Sequence, residues 1–506
     1  MSDWTHGYVA DVSYDYSFFP ELSPIQMGFN LLDAQVLPPA LDRFNYCELG
    51  CGQGFTTNVL AATHPQAEFW GVDFNPTHAA EAQRLADSAN LKNIRFLDQS
   101  FAEFLETDTP PFDFITLHGV YSWIGDANRM LIVDLLRRKL KFGGTVYISY
   151  NALPGWSALL PLRDLMVQHT QGKRLSSLQK VEEGLSFARK LQDLKAGYFV
   201  ENPTVKHDLN EIQNDSRNYL AHEYFNGDSQ PFYHCDMVEH LATAKLSFVS
   251  SADIDDVFYN LRLNQEQLGC LNEISDKALQ ETTRDFFFNS RFRRDLFVRG
   301  PVHLPALEQV ELLSHFRFAL AVPPEEVDYE PELVGRSIKL DQALYESLVT
   351  ALAVQPQTLR QLMSKQVLKA FDFSSILQAL KILLVTDVLK LALSEDQEEL
   401  RYQAIADLNT AILKRSRFGA DTQLLVSPVI GNGIDINRAE QLFLLAHQRQ
   451  VDPVSFIWTI LKVQGEKLMK DGVVLETPEE NIAELTIQAQ EFTEHRLPFL
   501  QYLGIV

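Results

Sequence analysis

The sequence predicts an α/β fold, a doubly wound and mainly parallel seven-stranded sheet with a helical insertion and mostly helical C-terminal domains. Three observations predict it. Between residues 44 and 150 short apolar runs alternate with helical stretches. Those runs are near-continuous in aromatic and β-branched residues, as in strands covered on both faces. Two more strand-like runs, LSFVSS (246–251) and RRDLFVRG (293–300), follow further on and complete the sheet. The first five strands are FNYCELG, AEFWGVD, NIRFLD, FDFITLHG and GGTVYISY, with helices starting near Phe55, Pro76, Gln99 and Asp126. Right-handed crossovers place every strand-to-helix loop at one edge of such a Rossmann-like sheet, where ligands bind.

The domains are expected in this order. Residues 1–43 form a lid or strap containing YDYSFFPELSP, and 44–155 form the ligand-binding domain. Residues 156–240 have helical periodicity and form an insertion over the ligand edge, and 241–300 return to the sheet. The acidic, proline-rich PPEEVDYEPE makes 301–332 a linker. In 333–400 the order helix, helix, then helix running into a hairpin is winged-helix-like. Its third helix carries Ile376, Leu377, Leu380, Leu383 and Leu384 with a single lysine, which suits packing rather than DNA reading. Residues 401–506 are helical and end in apolar FLQYLGIV, expected to be buried against another domain or, in a homodimer, another subunit.

Composition excludes several function classes. The 506 residues are 46% hydrophobic and 22% charged, with net charge −23, so the molecule repels nucleic acid and anionic membranes. No run of 18 apolar residues predicts a membrane span. The N-terminus lacks the basic and apolar regions of a signal peptide, and Cys47, Cys51, Cys235 and Cys270 form no framework, so a reducing cytoplasm is expected. His222, His234, Cys235 and His240 fit no zinc spacing, and no metal is expected.

The chemistry centres on YCELGCGQGFTT (46–57). Gly50, Gly52 and Gly54 alternate, but residue 55 is Phe, so the dinucleotide fingerprint is broken, and the Lys-Ser/Thr of a phosphate loop is missing. Glu48, two residues before Gly50, would repel a pyrophosphate and suits a ligand bearing an ammonium and a sulfonium. Asp73 ends the second strand 25 residues later and can accept from both ribose hydroxyls. Asp98 ends the third strand after another 25 residues, and it, Gln99 or Ser100 can accept from an adenine amino group.

EL-GCGQG, GVDFNP, LDQSF and FDFITLHGVYSWI together resemble the motifs of class I S-adenosylmethionine-dependent methyltransferases over residues 30–150. YDYSFFPELSP, YNALPGW, HEYF…PFYHCDM and FRRDLFVRG extend the resemblance to bacterial methyltransferases with a methyltransferase regulatory domain, some of which methylate lysines of outer-membrane proteins. The resemblance implies S-adenosylmethionine as cofactor and S-adenosylhomocysteine as product. It makes Glu48, Gly50, Gly52 and Gly54 the methionine-side loop, Asp73 the ribose ligand, and Asp98, Gln99 and Ser100 the adenine contacts. His118-Gly119-Val120-Tyr121 falls at the acceptor-facing motif, bordering cofactor and acceptor. It lacks the Asn/Asp-Pro-Pro-Tyr/Phe cluster of DNA and glutamine N-methyltransferases, which disfavours those substrates.

Methyl transfer requires an acceptor lone pair aligned with an activated carbon. A lysine must first lose a proton, which an apolar, aromatic pocket promotes. Tyr121, His118 and Asn151 are the candidate catalytic residues, with His118 as general base or structural histidine. Tyr8, Tyr14, Tyr16, Trp123, Tyr150 and Trp156 are the candidate pocket lining. A protein or peptide substrate is favoured by resemblance. A small-molecule O- or N-methyltransferase, or a catalytically silent cofactor-binding module, are the alternatives.

Overall fold

The computed structural model of the chain describes residues 8–9, 11–12, 16–333, 335–470 and 472–506. Its centre is a seven-stranded sheet: β1 (Asn45–Leu49), β2 (Glu68–Asp73), β3 (Ile94–Asp98), β4 (Phe112–Leu117), β5 (Leu140–Asn151), β6 (Leu246–Ser251) and β7 (Phe292–Arg299). The order is β3-β2-β1-β4-β5-β7-β6. Strands β1 to β5 pair in parallel, and β7 runs antiparallel to both neighbours. The chain reverses its direction of travel across the sheet between β1 and β4, which opens a crevice at their C-terminal ends.

Helices α1 (Pro24–Asp33), α2 (Phe55–Thr63), α3 (Pro76–Ser88), α4 (Phe101–Glu106) and α5 (Asp126–Lys139) flank the strands. Their starts are written locally. Asn75 accepts from the Thr77 amide to cap α3, and Ser100 with Glu103 forms a capping box on α4. Strand parity divides the core. Tyr46, Phe69, Phe114 and Tyr147 join one hydrophobic cluster, whereas Cys47, Val72, Ile115, Ile148 and Tyr150 join another with Ile132 and Leu136 of α5.

Between β5 and β6 lie α6 (Leu160–Thr170), α7 (Ser177–Asp193), α8 (Gly197–Glu201), α9 (Pro203–Ile212), α10 (Arg217–Tyr224) and α11 (His234–Ala242). The first five share a small core of their own, which also takes in Val9, Val12 and Trp156. Helices α12 (Gln265–Asn272) and α13 (Lys277–Phe288) precede β7.

Segment 301–332 differs from the expected linker. It carries α14 (Ala306–Leu313) and β8 (Arg317–Leu320). All four residues of β8 are buried, because β8 is the central strand of a second sheet. After the short hairpin β9 (Glu332–Leu333) and β10 (Arg336–Ser337) come α15 (Gln342–Val354), β11 (Gln357–Thr358), α16 (Leu359–Ser364), α17 (Phe373–Val385) and β12 (Leu389–Ala392). Strands β11 and β12 pair antiparallel with β8. The apolar third helix, α17, buries Ile376, Leu380 and Leu383 completely and is packing, as its sequence predicts.

The C-terminal part is helical: α18 (Glu398–Arg415), α19 (Arg438–Gln448), α20 (Pro453–Gln464), α21 (Pro478–Glu491) and α22 (Leu497–Tyr502). Two short hairpins interrupt it, β13 (Leu424–Val426) with β14 (Gly433–Asp435) and β15 (Met469–Lys470) with β16 (Val473–Val474). Leu500 and Leu503 are buried within the chain. Helix α18 packs on α2 and α3, so the core on that side of the sheet runs on into the C-terminal helices. Among the described residues no helix is long and apolar enough to cross a membrane.

Candidate functional site

A cavity of about 990 Å³ opens at the C-terminal ends of β1, β2, β4 and β5. Its floor is the glycine loop. Glu48 ends β1 almost fully buried and accepts a short hydrogen bond from the Thr57 hydroxyl at the start of α2. Burial lifts its carboxyl to about 7 against the pull of the Thr57 bond, and the nearby Asp73 adds to the rise. The side-chain oxygen of Gln53, also at the floor, is buried without a hydrogen-bond donor. Two acceptors without a cation are matched by a ligand with an ammonium group.

The glycines do different work. Gly54 has φ +63°, and a Cβ there would lie 2.4 Å from Phe96 and 2.6 Å from Ala82, so it allows α2 to approach β3 and α3. At Gly52, with φ +53°, a Cβ would meet no protein atom within 4 Å, so this glycine keeps the backbone open to the cavity. The Gly52 amide donates to Asp73 Oδ2 at 2.9 Å, and the Asn75 amide donates to Oδ1 at 2.9 Å. These bonds fix the Asp73 carboxylate at the cavity wall and leave lone pairs for vicinal hydroxyls. Asp98 and Gln99 also line the cavity, but the Gln99 side-chain oxygen accepts from Thr107 at 3.0 Å, which leaves its NH₂ group for a ligand. The Ser100 hydroxyl is committed to the α4 cap, donating to Glu103 and accepting from its amide.

The expected acceptor residues separate sharply. Tyr8, Tyr16, His118, Trp123, Asn151 and Trp156 line the cavity. Tyr121 and Tyr150 do not. Tyr121 opens a 3₁₀ turn that points its ring into the core, 5.5 Å from Phe232 and with its hydroxyl 3.4 Å from His240. Burial pushes its phenol up to about 12. Tyr150 sits on the face of β5 opposite Asn151 and donates to Asp295 at 2.6 Å, within a buried group that includes His234 and Arg293. Neither reaches an acceptor. Tyr14 lies outside the described residues.

His118 shares a 2.8 Å hydrogen bond with the Tyr147 hydroxyl and stacks on Phe19 at 3.8 Å. Burial, with Arg294 nearby, lowers its imidazole to about 3, so it stays neutral at physiological pH and holds a proton only weakly. His222 bonds the Val12 carbonyl at 3.0 Å, which tethers the N-terminal strap to the insertion. The strap is held from the other side as well. Tyr16 donates to Glu81 at 3.0 Å, and the Arg415 guanidinium at the end of α18 lies 4.4 Å over its ring.

Several lining residues had escaped the sequence analysis. Tyr219, His222 and Glu223 come from α10 at the i, i+3, i+4 spacing of one helix face. Arg291, Phe292 and Arg294 come from the start of β7, and Asp228 follows α10. Arg291 forms a two-pronged pair with Asp208 at 3.0 and 2.8 Å, and Arg294 pairs with Glu21 and Asp253 at 2.8 and 2.9 Å.

Comparison with known proteins agrees with this geometry. Residues 41–203 match a family model described as "Methyltransferase domain", and 216–299 match "Predicted methyltransferase regulatory domain". The uncharacterized protein sll1526 of Synechocystis sp. is 40% identical over 503 residues, covering 99% of each chain. The uncharacterized protein RP789 of Rickettsia prowazekii is 25% identical over 300 residues, spanning 58% of this chain and 53% of that one. The solved structure of PKMT2 from Rickettsia typhi in complex with AdoHcy superposes with a TM-score of 0.69 at 20% identity, over 97% of this chain and 99% of that one. A glycine loop with a buried acid that faces no cation, a second acid at the end of β2 and both family matches place the chain among the S-adenosylmethionine-dependent methyltransferases that carry a methyltransferase regulatory domain.

Proposed function

We propose that this methyltransferase transfers its methyl group to an amine nitrogen of a protein substrate, a lysine side chain. One observation carries this reading, the charge of the cavity. Among the described residues six carboxylates line it, against two arginines. Both arginines are turned to acids of their own, Arg291 to Asp208 and Arg294 to Glu21 and Asp253. The remaining field attracts a cation and repels the carboxylates and phosphates of acidic metabolites or nucleic acid. Aromatic walls, with Trp123 6.5 Å from Trp156 and Trp156 5.8 Å from Tyr224, suit an ammonium as well.

In this reading Glu48 and Gln53 face the ammonium of the cofactor, Asp73 takes the ribose hydroxyls, and Asp98 with the Gln99 amide borders the adenine. Bound S-adenosylmethionine supplies an electrophilic methyl group. The protein supplies position, a water-poor wall and a place for the acceptor proton. Asn151, buried at the end of β5 and lining the cavity, is placed to accept from the incoming amine.

The test is transfer of tritiated methyl into a lysate, followed by acid hydrolysis and amino-acid analysis of the protein fraction. Label in methyl-lysine is the expected result. Label confined to small molecules or nucleic acid would overturn the lysine acceptor and leave the methyltransferase intact.

A further inference from the structure

Three of the six acids of the cavity already have partners, and two more lie open to water. Glu48 is bonded by Thr57, Asp73 by two backbone amides, and Glu103 by Ser100. Asp98 and Asp228 are exposed to water. Glu223 is the exception. It lines the cavity from α10, is partly buried, and among the described residues receives no hydrogen bond or ion pair. The titratable groups around its carboxylate are Tyr8 of the strap and Tyr219 and Tyr224 of its own helix, phenols whose ionisation burial pushes upward. Tyr8, Asp73 and Glu223 line the same cavity, and both acids raise the Tyr8 phenol further. A carboxylate partly withdrawn from water with no protein cation carries a cost that a bound ammonium offsets.

We propose that Glu223 docks the ammonium of the acceptor lysine and takes its proton. The inference rests on the lysine reading above. The N–H bond breaks, its electron pair stays on nitrogen as the attacking lone pair, and the proton passes to a carboxylate oxygen of Glu223. Burial lifts this carboxyl to about 7, so it can hold a proton and return it to solvent near neutrality. In a water-poor site the neutral pair of amine and carboxylic acid costs less than it would in water. Glu223 falls within residues 216–299, so the segment matched by the regulatory-domain model supplies the acceptor contact.

The test uses the full chain with Glu223→Gln and Glu223→Asp, read three ways. Affinity for S-adenosylhomocysteine is expected within about twofold of the parent protein in both variants, which also shows that they fold. Titration of the S-adenosylhomocysteine complex with hexalysine is expected to show binding weakened about tenfold or more in Glu223→Gln and partly restored in Glu223→Asp. General attraction to an acidic protein is shared by all three and cancels. Methyl-lysine formation in lysate protein is expected to fall by at least the same factor. Equal hexalysine affinity, or equal methyl-lysine yield, in the parent protein and Glu223→Gln overturns the assignment and leaves the lysine acceptor standing. No methyl-lysine from the parent protein, with hexalysine binding still dependent on Glu223, sinks the acceptor reading and upholds the ammonium site.

Discussion

The two ends of the cavity are assembled by opposite means. The end proposed for the cofactor comes from residues close in sequence, Glu48, Gly52, Gln53 and Asp73, set by two strand ends and one turn. The end proposed for the acceptor gathers Tyr8, His118, Asn151, Glu223 and Arg294 from the strap, three strands and an inserted helix. The first holds its acids, Asp73 with two backbone amides and Glu48 with the Thr57 hydroxyl, and the second leaves Glu223 without a hydrogen bond. A site for a fixed cofactor can be built rigidly into the backbone. A site for a variable acceptor is built on an added element that can change while the sheet stays the same.

The glycine loop offers the largest break in this comparison. Gly54→Ala adds a methyl inside the packing distance of Phe96 and Ala82 at positive φ, and should cost about 2–4 kcal/mol of stability in denaturant melts. Gly52→Ala meets no protein atom and should stay folded, losing only about 1 kcal/mol to strain, yet it should bind S-adenosylhomocysteine more weakly by calorimetry. Equal behaviour of the two would erase the distinction between a packing glycine and a ligand-facing one.

Asp73→Ala comes next. It removes the acceptor held by the Gly52 and Asn75 amides, and cofactor affinity should fall by roughly 2–3 kcal/mol. Unchanged affinity would show that the ribose lies elsewhere.

At neutral pH a modest further effect sharpens the comparison through pH. The Glu48 carboxyl is lifted from 4.5 to about 7, so the cofactor-free protein carries a proton there below that value. The stability this neutral form contributes is complete below about pH 4.5 and is lost as pH rises through 7. Affinity for a cationic ligand moves the other way. Binding of S-adenosylmethionine should strengthen by up to about tenfold per pH unit as pH rises toward 7, and then level off. Proton release measured by calorimetry in buffers of different ionisation enthalpy checks this, and Glu48→Gln should flatten the profile.

The sequence and the structure agree most where the signal is local. A glycine at positive φ, an acid two residues before it and caps such as Ser100–Glu103 act over a few residues, so they could be placed without knowing the rest of the chain. Ser100, read from the sequence as an adenine contact, lines the cavity but also caps α4, with its hydroxyl bonded to Glu103. Tyr150 was open to correction from sequence alone. With Asn151 facing the ligand edge, strand alternation turns Tyr150 to the other face. For Tyr121 there was no such rule, because a 3₁₀ turn sets its direction. The 301–332 segment read as a linker because its prolines and acids cluster at one end, while the four-residue β8 is buried between β11 and β12, which lie some 40 and 70 residues further on.

By itself the sequence determined the sheet, the glycine loop and the charge of the ligand it accepts, because strand ends and turns are fixed by short-range sterics and an acid beside the loop declares the sign of its partner. Only the tertiary structure decided which aromatics face the cavity and that Glu223 stands there without a cation. Those facts depend on how an inserted helix is rotated over the sheet and on contacts between residues more than two hundred positions apart, such as His222 with Val12.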